Sequence, residues 1–195
     1  YRSWGPGQPS RTWWISSSDG GDTWTGASEI GSGDCNEAVV IDRGPAGLLA
    51  VVRTHVDHHL EIFASEDLGA TWTPRGPGTL PMQHPGDLTD LGEDRVLLTY
   101  GIRNRGLMGL GARLSMDGGA TWGAPAVVYQ FGDGARDCGY PSTVLCRDGT
   151  LVTACYSDRS TVHAGYHLLI VRWKLEDFFN PRPLRSISDG KPLAV

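Results

Sequence analysis

Residues 115–122 read SMDGGATW, and the phrase returns as SSDGGDTW at 17–24 and SEDLGATW at 65–72. All three fit Ser-x-Asp-x-Gly-x-Thr-Trp. Asp followed two residues later by Gly at a strand end is hairpin chemistry. The carboxylate accepts from N–H groups of its own turn, and Gly takes φ > 0 without steric cost. Trp then plugs the turn against the sheet, and Ser and Thr hydroxyls tie its ends. A reacting group is rarely needed three times at symmetric places, so the phrase reads as a structural device. Each copy follows a strand, which puts all three on one rim and sends the search for chemistry to the other.

The opening serines, Ser17, Ser65 and Ser115, fall 48 and 50 residues apart. A period of this length is the signature of propeller blades, each a four-stranded antiparallel sheet. The intervening segments agree. Short β-prone runs at 38–42, 47–52 and 60–64 recur at 86–91, 95–100 and 107–114, and again at 141–146, 150–156 and 166–173. Helical periodicity is confined to LEDFF at 175–179. The expected fold is all-β, a β-propeller of four-stranded antiparallel blades with about four blades over residues 1–175. Residues 176–195, proline-punctuated, read as an irregular C-terminal extension.

Composition narrows the function classes. The 195 residues carry a net charge of −5, which argues against a nucleic-acid partner. No apolar run approaches the roughly 18–20 residues of a membrane span. YRSWGPGQPS lacks the layout of a signal peptide, so a secreted or a cytoplasmic location stays open. Cys35, Cys138, Cys146 and Cys155 show no CxxC spacing. A hairpin about Asp148-Gly149 sets Cys146 opposite about residue 151 rather than Cys155, and free thiols are expected.

The period also serves as a ruler. Arg53 lies 12 residues before Ser65, and Arg103 lies 12 before Ser115, each at the end of a second strand. At the starts of first strands, Glu37, His84 and Tyr140 take similar places ahead of Leu48, Val96 and Leu151. First strands line the central channel of a propeller. In this register a carboxylate, an imidazole and a phenol meet two guanidinium groups in one mouth. Taken singly, each residue has an ordinary structural reading; the joint arrangement makes them candidates. His55 and His59 share a strand face with Asp57, as metal ligands would, but a polar loop beside the mouth is the preferred reading. No metal or cofactor is expected.

The three phrases resemble the Asp-boxes of sialidases and related BNR-repeat propellers, where they mark the fold on the face away from the active site. The resemblance extends to about residue 174. NEAVVIDRGPAGLLAVVR resembles the sialidase segment that carries a glutamate and one arginine of the carboxylate-binding triad. TYGIRNRGLMGLGARLSMDGGATW resembles the segment with another triad arginine, and DCGYPSTVLCRDGTLVTACY the nucleophile-tyrosine segment. By that resemblance Glu37 partners the nucleophile Tyr140, and Arg53 binds substrate. Arg103 is the first choice for the second arginine and Arg105 the second. Asp137, three before Tyr140, either orients it or caps a turn.

The resemblance implies an exo-acting hydrolase on sialylated or other acidic glycans. Arginine suits a sugar carboxylate because its planar fork binds both oxygens. A neutral phenol suits attack on a carbon already bearing a negative group, with a carboxylate taking its proton. The family's first triad arginine and its aspartate acid/base have no candidate in residues 1–16. The chain therefore reads as the C-terminal two-thirds of a six-bladed protein, with little activity of its own. Two alternatives remain: a non-catalytic BNR propeller that binds anionic glycans or a protein, and a propeller enzyme acting on uronic-acid polysaccharides.

Overall fold

The computed structural model describes residues 8–31 and 33–179. They form four antiparallel sheets, each a run of strands hydrogen-bonded in chain order. The first pairs β1 (Trp13–Ser16) with β2 (Thr25–Glu29). The second holds β3 (Cys35–Asp42), β4 (Leu48–Thr54), β5 (Leu60–Ser65) and β6 (Thr73–Pro77). The third holds β7 (Gln83–Gly92), β8 (Arg95–Ile102), β9 (Gly109–Ser115) and β10 (Ala126–Gln130). The fourth has β11 (Cys138–Leu145), β12 (Thr150–Arg159) and β13 (Ala164–Lys174). LEDFF gives one helical turn, α1 (Glu176–Phe179), whose Phe178 meets Trp173 edge-on at 5.5 Å. The rest of the expected C-terminal extension, 180–195, lies outside the described residues.

The repeated phrase joins β1 to β2, β5 to β6 and β9 to β10. Its bonding is the same in all three copies. In the second, Ser65 Oγ donates to Asp67 Oδ1 (2.8 Å) and accepts from the Gly69 N–H (2.8 Å). Asp67 also accepts from the Thr71 N–H (2.8 Å) and hydroxyl (2.6 Å). The Thr71 hydroxyl leads in holding the Asp67 carboxyl down at about 2. Two consecutive left-handed residues make each turn: Gly20-Gly21, Leu68-Gly69 and Gly118-Gly119. Trp72 and Trp122 pack on the cores as expected, whereas Trp24 is 60% exposed and bonds only to its own turn.

Apolar residues alternate toward the gaps between sheets. Leu49, Val51, Leu60 and Ile62 of the second sheet pack on Leu88, Val96, Leu98 and Tyr100 of the third. Burial of such side chains is worth about 1.5–3 kcal/mol each. Between the third and fourth sheets a chain of buried hydroxyls runs Thr99–Thr143–Thr153, each step 3.0 Å, and ends on the Trp173 indole N–H. All four cysteines are free thiols.

Each first strand carries a bulge at the same place. Cys35 pairs with Thr54 and Ala38 with Val52. Gln83 pairs with Ile102 and Gly86 with Tyr100. Gly139 pairs with Tyr156 and Ser142 with Ala154. Two residues are thus unpaired in each, Asn36-Glu37, His84-Pro85 and Tyr140-Pro141. This corrects the counted register: Asn36, not Glu37, is the ladder equivalent of His84 and Tyr140. The arginines are corrected too. Arg53 pairs with Leu60, whereas Gly101 pairs with the matching Leu110. The β8–β9 connection is longer by two residues, so Arg103 stands two places beyond the Arg53 position. On a strand that offset keeps the same face.

Candidate active site

A bulge bends its strand and re-aims the side chains within it. Gly139 (φ 142°) and Tyr140 (φ 45°) both lie in the left-handed region, and Pro141 follows. For a residue other than glycine this conformation costs about 1–2 kcal/mol, and it swings the Tyr140 ring toward the second sheet. There its hydroxyl donates to Glu37 Oε1, across 103 residues of sequence. The other oxygen, Glu37 Oε2, faces Arg53 Nη1 at 2.9 Å. Arg53 and Glu37 are 17% and 23% exposed in their side chains, while Tyr140 is 53% exposed. The Glu37 bond, aided by partial burial, raises the Tyr140 phenol above its usual range, and Arg53 and Arg103 oppose the shift.

Arg103 enters from the third sheet. Its Nε donates to the Cys138 carbonyl (2.7 Å), and its Nη2 donates to the Tyr156 hydroxyl (2.7 Å) and faces Asp137 Oδ1 (3.1 Å). Asp137 accepts from Tyr156 (2.9 Å) and Tyr166 (3.1 Å) as well. It therefore holds Arg103 rather than capping a turn.

His84 is 2% exposed. Burial first, then the charges of Arg53 and Arg103, push its imidazole down to about 3, so it stays neutral at physiological pH. It packs against His58 at 5.4 Å, which meets His55 at 5.9 Å. The grouping His55–Asp57–His59 does not form, because residues 55–59 are a loop rather than a strand. His59 turns instead to Asp57 and to Glu61 Oε2 (2.9 Å).

Glu37, Tyr140, Arg53, Arg103, His84 and Asp137 are thus gathered in one region. Glu37 and Tyr140 border a cleft of about 430 Å³ that runs past Asn36, Val39 and Pro85 to Trp13. Arg105 is placed apart. It is exposed and lines a separate cleft of about 490 Å³ with Met108, Phe131 and Arg136. Sequence reasoning missed Tyr156 and Tyr166. A signal for the first existed: counting outward from the Leu145–Leu151 pair sets Tyr156 opposite Tyr140, one place from its actual partner Gly139.

Residues 3–153 match a family model described as a BNR repeat-like domain. The chain is similar to the crystal structure of a protein of unknown function from Dyadobacter fermentans, with 26% identity and a TM-score of 0.67 over 81% of this chain and 44% of that one. It is similar in fold to an α-L-arabinanase from Penicillium chrysogenum complexed with arabinobiose, with 16% identity and a TM-score of 0.62 over 87% of this chain and 57% of that one. It is likewise similar in fold to a Hadza microbial sialidase, with 22% identity and a TM-score of 0.60 over 84% of this chain and 32% of that one. The chain thus spans less than two thirds of each. Among curated proteins none matches it.

Proposed function

Because the chain belongs to the BNR repeat-like domain family, we propose that it is part of a propeller-type glycoside hydrolase that releases a terminal sialic acid or a similar acidic sugar. The sialidase-like BNR resemblance seen in the three Asp-boxes stands on that family match. In the proposed whole, residues 1–175 supply about four of six blades and 176–195 an extension.

The observation that carries the reading is the bond from Tyr140 to Glu37, beside Arg53. Tyr140 Oη attacks the anomeric carbon while Glu37 takes its proton, and the bond to the leaving oxygen breaks. Arg53 orients Glu37 and stabilises its charge. Arg103, set by Asp137, faces the sugar carboxylate, and His84 offers a neutral imidazole beside both guanidinium groups. Arg105 contributes at most an outer contact, from its own cleft. Protonation of the leaving group falls to an acid beyond these residues, so the isolated 195-residue chain is expected to turn over little or nothing.

The test is hydrolysis of a fluorogenic sialoside by the full-length protein. Tyr140→Phe lowers kcat by about a hundredfold or more, and mass spectrometry of the parent enzyme finds a sialyl adduct on the Tyr140 peptide. Arg103→Ala raises KM and Arg105→Ala does not. A folded Tyr140→Phe protein with undiminished hydrolysis ends the proposal.

One observation favours a second reading. Each arginine of the site already faces a carboxylate, Arg53 with Glu37 and Arg103 with Asp137. The centre is close to charge balance, which suits a neutral sugar such as arabinose in an arabinan. Cleavage of arabino-oligosaccharides but no sialosides selects it. Saturable glycan binding without turnover selects instead the non-catalytic propeller.

A further inference from the structure

Tyr140 is poorly held by its own strand. It lies in a bulge, without a ladder partner, and half of its surface faces solvent. A residue so placed reaches Glu37 reproducibly only if something outside the strand fixes its ring.

Tyr156 is placed to do so. Its ring stacks on that of Tyr140, with centroids 6.0 Å apart and planes 29° from parallel. That is the offset geometry aromatic pairs prefer. Tyr156 sits mid-strand in β12, paired with Gly139 on one side and Leu168 on the other. Its hydroxyl is committed at both ends: it accepts from Arg103 Nη2 (2.7 Å) and donates to Asp137 Oδ1 (2.9 Å). Tyr166 packs on the same ring at 6.1 Å and donates to Asp137 Oδ2 (3.1 Å). One carboxylate therefore pins two phenols and a guanidinium, and the ring between them carries Tyr140.

We propose that Tyr156 is the positioning residue of the site: its ring face holds Tyr140 against Glu37, and its oxygen holds Arg103 in place. The two halves are separable. Phenylalanine at 156 keeps the face and loses the oxygen; leucine loses both. The catalytic consequence rests on the hydrolase reading above, but the effect on Tyr140 does not.

The experiment labels tyrosine ζ-carbons with ¹³C in the full chain and follows the Tyr140 phenol with pH, its signal assigned by loss in Tyr140→Phe. In the parent it titrates above the ordinary value of about 10. Tyr156→Phe is expected to leave that titration in place. Tyr156→Leu is expected to return it toward about 10, because the phenol no longer stays on Glu37. Should Tyr156→Leu not fold, Tyr156→Met keeps the bulk without the flat face and is read the same way. In turnover, Tyr156→Phe raises KM about three- to tenfold with kcat kept, and Tyr156→Leu lowers kcat as well.

A folded leucine or methionine variant that keeps the raised titration overturns the proposal. So does a Tyr156→Phe protein that loses it as fully as Tyr156→Leu. If the titrations behave as expected and no glycoside is cleaved, the hydrolase reading fails and the positioning role stands.

Discussion

Replacing Glu37 with alanine is expected to weaken the fold as well as the site. The change removes the carboxylate that faces Arg53 at 2.9 Å and leaves a guanidinium that is only 17% exposed without that partner. Breaking a fully buried ion pair costs about 3–5 kcal/mol, and breaking an exposed one about 0–1 kcal/mol. With both side chains roughly four-fifths buried, the cost is about 2–3 kcal/mol. Tyr140 adds little, because in a residue half exposed to solvent the hydroxyl can exchange the lost bond for one to water. In a domain of this size, 1 kcal/mol moves the melting point by about 2–4 °C, so a drop of roughly 5–10 °C follows. Circular dichroism melts at pH 7 and low salt measure it. The double variant Glu37→Met/Arg53→Met, which removes both charges and fills their space, should lose less than Glu37→Ala alone. A melting point for Glu37→Ala within 1 °C of the parent would refute the reasoning, as would a double-variant cost equal to the sum of the two single methionine changes.

Three further changes probe the frame around the site. Thr143→Val removes the central hydroxyl of the chain that links Thr99 to Thr153 at 3.0 Å on each side. It should cost about 2–3 kcal/mol in urea unfolding through the unpaired groups left behind, and a loss under about 0.5 kcal/mol would count against the network. Leu68→Gly relieves the φ of 57° at the turn position where the other two boxes carry Gly20 and Gly118, and gives up a side chain that is 73% exposed. The strain of about 1–2 kcal/mol exceeds the extra freedom of glycine by up to about 1 kcal/mol, so the melting point should rise, and a fall would contradict the strain. Asp87→Asn tests burial of a charge. Burial raises the folded-state pKa of Asp87, although the Thr143 N–H donates to its carboxylate at 2.7 Å. The folded protein then binds the proton more tightly than the unfolded one. Wild-type stability must fall as pH rises from the unfolded pKa through the folded one. The variant does not titrate there, so its advantage should grow from pH 4 to pH 7; an advantage that is flat with pH would show that the carboxylate is not penalised.

The strands were legible because their signals are local. Runs such as GLLAVV and RVLLTY carry β propensity and alternate toward a core, and the structure forms strands at each of them. The box was legible for the same reason. Ser, Asp, Gly and Thr bond one another within four residues, so one phrase defines one hairpin wherever it occurs. Counting between boxes was safe only as far as the connections kept their length. Two extra residues between β8 and β9 moved Arg103 off the Arg53 position, and Glu37, 11 residues before Leu48 where His84 lies 12 before Val96, falls one place past the His84 position. Both offsets are small differences in spacing that leave the apolar pattern unchanged, so only the strand pairing assigns each to its place. The fourth strands, β2, β6 and β10, were not picked out individually, because TGASE, TPRGP and AVVYQ are short and mostly exposed.

Local signals in the chain specified the strands, the rim that carries the boxes, and the residue types that gather on the other rim. The resemblance paired Glu37 with Tyr140, but the geometry of that pair and the partners of the arginines came only from the packing of the sheets. That packing seated Tyr140 on Glu37 across 103 residues, gave Arg103 to Asp137 and Tyr156, and left Arg105 in another cleft. The physical reason is range. A turn is settled by bonds over a few residues, whereas a guanidinium takes whichever carboxylate the packing of whole sheets brings within about 3 Å.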